Sequence, residues 1–208
     1  MRSIDAVITW VDGSDEGYKK KIENHLTTST NYKKQYLQAN EIEYCVKSIL
    51  KFAPFVRKIF IVTDSQKPSF SGLEDLILSN KVKVVDHKEI FKGYEKYLPT
   101  FNIRSIDAVL HRIEDLSEMF VYFNDDVFLI NKIREEDWFV ENKVVLMGKW
   151  AKSYSINPIK VLSGKFKKVF GLRPSFNASQ SKAANLSGFK KEYFKSYHTA
   201  RPQIKSLI

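Results

Sequence analysis

The 208-residue sequence is 43% hydrophobic and 13% aromatic, enough for one large domain or a domain with an extension, and too apolar for a disordered chain. No stretch approaches the roughly 20 consecutive apolar residues of a membrane span. Charge within Met1–Asp5 replaces the apolar segment of a signal peptide, and the lone Cys45 excludes an intrachain disulfide, so a cytoplasmic protein is expected.

The net charge of +10 is unevenly spread. Residues 143–208 hold 14 Lys and Arg against one acid, Glu192, giving +13, whereas residues 1–142 carry −3. A basic third of this kind suits polyanions: phosphate-rich substrates, nucleic acid or an anionic membrane surface. A solvated basic face that only aids solubility is the plainer alternative.

In chain order, the apolar run Ile4–Val11 predicts a buried strand ending in the turn Asp12-Gly13-Ser14-Asp15. Residues 19–38 are polar and Lys-rich and read as a surface helix or mobile loop. Ile42, Cys45, Val46, Ile49, Leu50 and Ala53 follow helical spacing up to Pro54. Strands are expected at Lys58–Thr63 and Lys81–Asp86. A second helical stripe, Ile103, Ile106, Val109, Leu110, Ile113 and Leu116, has Asn102 as its N-cap. Met119–Phe123 is a fourth strand that runs into Asn124-Asp125-Asp126 and continues through Val127–Ile130, and a fifth is expected at Lys143–Met147. Alternating strands and helices predict an α/β domain with a parallel or mixed sheet over residues 1–150, followed by a basic segment, 151–208.

Three polar clusters directly follow strands: TWVDGSD (Thr9–Asp15), DSQKP (Asp64–Pro68) and NDD (Asn124–Asp126). Ligands of open α/β sheets bind beyond strand carboxyl ends, where loops and helix N-termini converge. Asp125 and Asp126, set between apolar runs, are costly to desolvate unpaired and need a cation, water or basic partners; Mg2+ or Mn2+ suits their oxygen donors. A strand-end turn capped by its own side chains is the structural alternative. Trp10 could stack on a nucleobase beside Asp12 and Asp15, or simply sit in the core. His198, among cations, is disposed toward its neutral form and could serve as a general base, or could be a solvated surface residue.

Taken together, TWVDGSD, NEIEYCVKSILKFAPFVRKIFIVTDSQKPSF, HKEIF and LPTFNIRSIDAVLHRIEDLSEMFVYFNDDVF resemble the Stealth family of sugar-phosphate transferases over most of Ile4–Phe128. That family includes bacterial capsular polysaccharide phosphotransferases and the animal enzyme that adds N-acetylglucosamine-1-phosphate to lysosomal glycoproteins. The resemblance implies a GT-A-like nucleotide-sugar fold, with Trp10, Asp12 and Asp15 at the nucleotide-sugar site. It places Glu41, Asp64, Gln66, Asn102, Arg104 and Asn124–Asp126 around donor and metal. FKSYHTARPQIKSL is similar to the start of the family's third region, whose histidine corresponds to His198; the rest of that region and the fourth would follow it in a complete member. The chain departs from the family's usual residues at Glu43, Lys47, Ile103 and Asp107.

The activity this implies is metal-dependent transfer of a sugar-1-phosphate from a UDP-sugar to a hydroxyl of a capsular or other surface polysaccharide. Asp125 and Asp126 would hold the metal, and His198, Asp126 and Arg104 would act at the reacting groups. Peripheral contact with an anionic membrane is among the expected partners; nucleic acid is not. The alternatives are a glycosyltransferase forming a glycosidic bond, or a binder of nucleotide sugars or polyanions without activity.

Overall fold

Short apolar runs closed by polar turns become the strands of a central sheet. The computed structural model describes residues 3–25, 39–153, 159, 162–163, 176–197 and 200–207. In chain order its regular elements are β1 (Ile4–Thr9), α1 (Glu16–His25), α2 (Glu41–Phe52), β2 (Val56–Thr63), α3 (Leu73–Leu78), β3 (Val82–Asp86), α4 (His87–Ile90), α5 (Ile103–Asp107) and β4 (Met119–Asn124). There follow β5 (Phe139–Val140), β6 (Lys143–Val144), β7 (Gly148–Lys152), α6 (Phe176–Leu186), β8 (Glu192–Ser196) and β9 (Arg201–Ile204). Two compact units result: Met1–Val145 with Thr199–Ile208, and Leu146–His198.

The first unit is a mixed α/β structure around a five-stranded sheet of order β3-β2-β1-β4-β9. The first four strands are parallel, and β9 pairs antiparallel with β4. The chain builds outward from β1 through β2 to β3, then crosses back to place β4 on the other side of β1. That reversal lies between β1 and β4. A crevice beyond the carboxyl ends of the strands forms at such a point, because the connections leave it in opposite directions.

Both faces of the sheet are covered. Ile4, Ala6 and Ile8 of β1, Ile59 and Ile61 of β2, and Val121 and Phe123 of β4 face Ile42, Cys45, Val46 and Ile49 of α2. The alternate residues Val7, Phe60, Val62, Phe120 and Tyr122 pack with Ile90, Phe91, Ile106, Leu110, Ile113 and Leu116. The period of two in the strands thus sorts residues into two layers, each met by a helical stripe.

The amino ends of the strands are tied by charge. Asp5 is fully buried and accepts hydrogen bonds from Arg57 Nε (3.0 Å) and Nη2 (2.7 Å), Lys58 N (3.1 Å) and Ser117 N (2.7 Å). Asp115 extends the cluster, 3.3 Å from Arg57 Nη1 and 2.5 Å from Lys58 Nζ. The hydrogen bonds that Arg57 donates to Asp5, then the Asp5 charge against burial, hold the Arg57 guanidinium well above its ordinary pKa. Four hydrogen bonds to one carboxylate satisfy the requirement that a buried charge be paired.

Four expectations change. The helix predicted over 103–116 is the short α5 and then a single 3-10 turn at Leu110–Arg112; the stripe still packs inward, but Asp115 at φ 66° turns the chain toward β4. Val127–Ile130 does not extend β4. The chain turns at Asp125-Asp126, and Leu129 N donates to Ser48 Oγ of α2 (3.0 Å) instead of to a strand neighbour. Residues 143–147 supply only the two-residue β6, paired with β5 outside the main sheet. Finally, Arg201–Ile204 within the basic stretch is a sheet strand, with Pro202 tolerated because β9 lies on the edge. In the Lys-rich segment 19–38, α1 ends at His25, and residues 26–38 lie outside the described residues.

In the second unit, β7 and β8 form an antiparallel ribbon packed on α6, with Ser153 Oγ 3.0 Å from Ser181 Oγ in a buried contact.

Candidate functional site at the strand carboxyl ends

The register brings the three polar clusters to one end of the sheet. Thr9, the last residue of β1, pairs with Val62 on one side and Asn124 on the other. Asp12, Asp64–Gln66 and Asn124–Asp126 therefore all follow the same edge, with Asp12 and Asp125-Asp126 flanking the reversal between β1 and β4.

The loops after β1 and β2 are locked together. Asp12 N donates to Gln66 Oε1 (2.8 Å) and Gln66 Nε2 donates to Asp12 O (2.9 Å). Asp12 Oδ1 accepts from Ser14 N (2.7 Å) and Ser14 Oγ (2.6 Å), so the turn fixes this half-buried carboxylate. Asp15 caps α1 by accepting from Tyr18 N (2.7 Å). Trp10 is 8% exposed and packs within the first apolar layer, the core placement that the sequence also allowed.

Asp64 faces inward from the end of β2. Its Oδ1 lies 3.0 Å from Lys21 Nζ of α1, while Oδ2 is buried without a hydrogen-bond partner among the described residues. Thr63 and Asp86 are register partners, so Asp64 and His87 follow side by side. His87 is 2% exposed; its Nδ1 and the Thr63 hydroxyl are also without partners. Burial lowers the His87 pKa; Asp64 and Asp86 oppose this and Lys21 adds to it. Buried polar atoms left open are costly and mark a place for water or ligand.

Beyond β4, Asn124 and Asp126 are exposed and Asp125 is half-buried. Cys45 Sγ of α2 donates to Asn124 O (3.8 Å). Burial, then the charges of Asp125 and Asp126, pushes the Cys45 thiol far above its ordinary pKa. Both carboxylates thus concentrate negative potential at the α2 side of this strand end. Among the described residues no three His, Cys, Asp and Glu side chains group closely enough to hold a metal alone. Two adjacent oxygen donors do fit Mg2+ or Mn2+, which commonly takes one or two carboxylates and completes its shell with water and substrate phosphates.

On the other face, Asn102 caps α5, its Oδ1 accepting from Arg104 N (3.1 Å), and Arg104 is exposed in the first turn. Glu41 accepts from Ala39 N (2.7 Å) at the start of α2. His198 lies outside the described residues.

Sequence reading missed a polar network between the ends of β1 and β4 and the edge strand β9. Thr9 Oγ1 and Tyr122 OH are 2.7 Å apart, the Arg201 guanidinium lies 4.2 Å from the Tyr122 ring centroid, and Arg201 Nη2 is 3.4 Å from Asp107 Oδ2. Burial, with Asp107 nearby, pushes the Tyr122 phenol up to about 12. Burial likewise raises the Asp107 carboxyl, against the attraction of Arg201. Tyr122 sat inside an apolar run and Arg201 inside a Lys-rich one, so neither carried a local signal.

Such a molecule is an α/β protein whose largely parallel sheet reverses its strand order between β1 and β4, with carboxylates in the loops that follow both strands. Residues 35–147 match the family model described as Stealth protein CR2, conserved region 2. Similar proteins include the capsular polysaccharide phosphotransferase fcs1 of Haemophilus influenzae, 43% identical over 145 residues, 67% of this chain and 38% of the relative. The receptor polysaccharide phosphotransferase WefC of Streptococcus oralis is 40% identical over 148 residues, 68% of this chain and 43% of its own length. The exopolysaccharide phosphotransferase SCO6021 of Streptomyces coelicolor is 37% identical over 145 residues, 67% of this chain and 26% of its own. The chain belongs to the Stealth family, and it spans less than half the length of these relatives.

Proposed function

We propose that the chain carries the donor-binding core of a phosphotransferase that moves a sugar-1-phosphate from a UDP-sugar to a hydroxyl of a polysaccharide. The observation that carries this reading is the convergence of Asp12, Gln66 and Asp125-Asp126 at the β1/β4 reversal. The names of the relatives point to polysaccharide phosphotransfer. A GT-A-like nucleotide-sugar fold is compatible with the largely parallel sheet and the polar clusters at its strand ends.

In this reading the acceptor oxygen attacks the sugar-proximal phosphorus. The bond to the bridging oxygen breaks, uridine monophosphate leaves with that oxygen, and the product is a phosphodiester. Reactions of this class depend on positioning and on charge neutralisation. Asp125 and Asp126 would hold Mg2+ or Mn2+, which supplies positive charge against the diphosphate. The locked Asp12–Gln66 loops and Asp64 form the wall for the uridine end, with Trp10 and Asp15 bracing the first loop. Arg104, in the first turn behind Asn102, opposes phosphate charge. His198 is the group assigned to accept the acceptor proton.

The test is to incubate the protein with UDP-N-acetylglucosamine, a glycan acceptor and Mg2+ and to identify the nucleotide released. Uridine monophosphate supports the assignment; uridine diphosphate means a glycosidic bond was formed and overturns it.

A further inference from the structure

We propose that Arg201 of β9 is a further donor-binding residue, its guanidinium taking the diphosphate of the nucleotide sugar at the ends of β1 and β4. This rests on the phosphotransfer reading in one respect, that the donor carries a diphosphate.

The antiparallel edge strand brings the cation in. Arg201 opens β9 and is the cross-strand partner of Tyr122, two residues before Asn124 ends β4. At about 3.3 Å of strand per residue, Arg201 therefore stands roughly 7 Å short of Asn124 along the sheet. Thr9, Tyr122 and Asn124 share the face covered by α5, because Thr9 and Asn124 are partners and side chains alternate along a strand. Arg201 lies over the Tyr122 ring and so belongs to that face. Its ion-pair partner Asp107 is three residues after Arg104 on α5, and residues so spaced are neighbours on a helix surface. Arg104 and Arg201 thus flank Asp107, one from a helix and one from a strand.

The guanidinium is oriented but only lightly held. Its centre is 4.2 Å from the Tyr122 ring centroid, and Tyr122, 1% exposed, is itself fixed by a hydroxyl 2.7 Å from Thr9 Oγ1. A ring face sets the plane of a guanidinium and leaves the N–H groups at its edge for hydrogen bonds. The contact with Asp107 uses one nitrogen, Nη2, at 3.4 Å, longer than the roughly 2.7–2.9 Å of a strong charged pair. Arg57 is the contrast: it gives the buried Asp5 two bonds, at 3.0 Å and 2.7 Å. The Arg201 side chain stays 38% exposed. A planar fork preset on a ring, weakly paired and open to solvent, suits phosphate oxygens.

Charge supplies the need. Asp12, Asp15, Asp64, Asp125 and Asp126 all stand in the loops after β1, β2 and β4, and Lys21 is paired with Asp64. A diphosphate brought among these carboxylates requires more positive charge than one divalent ion provides.

The experiment is calorimetric titration of the intact chain with UDP and with uridine, each in the presence of Mg2+. Arg201→Ala should weaken UDP binding about tenfold, the loss of one charge-assisted contact, and leave uridine binding within about twofold. Arg201→Lys, which keeps the charge without the planar fork, should fall between. Asp107→Asn should bind UDP at least as tightly as the unaltered chain, because it releases the guanidinium. An ion pair that merely ties β9 to α5 gives a different pattern: Arg201→Ala and Asp107→Asn lower the melting temperature alike, and neither changes UDP affinity relative to uridine. That pattern, equal weakening of UDP and uridine by folded Arg201→Ala, or no UDP binding by the unaltered chain overturns the proposal. Circular dichroism of each variant reports folding, and Arg201→Lys and Asp107→Asn keep the test open if Arg201→Ala does not fold. The nucleotide released on a glycan acceptor is the separate readout. Diphosphate in place of monophosphate refutes the phosphotransfer reading and leaves Arg201 standing, whereas monophosphate release with undiminished UDP affinity in Arg201→Ala refutes Arg201 alone.

Discussion

Removing the Asp5 carboxylate should loosen the sheet from the amino ends of its strands. Asp5→Ala strips the acceptor from two backbone amides, Lys58 N and Ser117 N, and from two guanidinium nitrogens of Arg57. Each buried amide left unpaired costs about 1–3 kcal/mol. The Arg57 side chain is 34% exposed and keeps Asp115, so its loss is screened by solvent and adds little. The two amides together put the loss at about 2–6 kcal/mol, centred on the range of about 3–5 kcal/mol for breaking a buried pair from one side. With a urea slope near 2 kcal/mol per M, the unfolding midpoint should fall by about 1.5–2.5 M. Asp5→Asn, which keeps the shape and one acceptor oxygen, should lose less. Urea denaturation followed by circular dichroism measures both. A midpoint shift under about 0.5 M for Asp5→Ala, with unchanged slope, would show that this carboxylate does not tie β1, β2 and the approach to β4 together.

Three further outcomes follow from the site. His87 has a pKa lowered by burial from its ordinary 6.5, so the unfolded chain takes up a proton first as pH falls. Stability should be flat above that value and decline as pH drops from it toward the depressed folded one, by up to about 1.4 kcal/mol per pH unit. Thermal melts across pH 5–8 should therefore lose this slope in His87→Gln. Gln66→Ala removes both bonds to the Asp12 backbone and should cost about 1–2 kcal/mol of stability and weaken UDP-sugar binding in calorimetry. Asp125→Asn and Asp126→Asn should abolish the gain in UDP-sugar affinity on adding Mg2+ while leaving the melting midpoint nearly unchanged, because neither side chain is buried.

The parallel strands were legible because their apolar runs are short, rich in β-branched or aromatic residues and closed by polar turns: Ile4–Thr9, Val56–Thr63, Val82–Asp86 and Met119–Asn124. The α2 stripe was legible for its helical spacing and the stop at Pro54. Local pattern could not reveal the sheet order, which depends on where β4 inserts, nor that Val127–Ile130, strand-like by composition, leaves the sheet at the Asp125-Asp126 turn. It also missed β9, where a proline and two flanking basic residues disguise an edge strand. At the site, the carboxylates after strands announced themselves by position. The Asp12–Gln66 lock, the Lys21–Asp64–His87 cluster and the Thr9–Tyr122–Arg201–Asp107 network did not, because their members come from distant segments and each alone reads as an ordinary core or surface residue.

Which bond of the donor is broken is decided by the fate of one phosphorus. UDP-N-acetylglucosamine labelled with 32P at the sugar-proximal position should pass its label to the glycan acceptor when Mg2+ is present. Label that remains entirely with the nucleotide while sugar appears on the acceptor would contradict the claim.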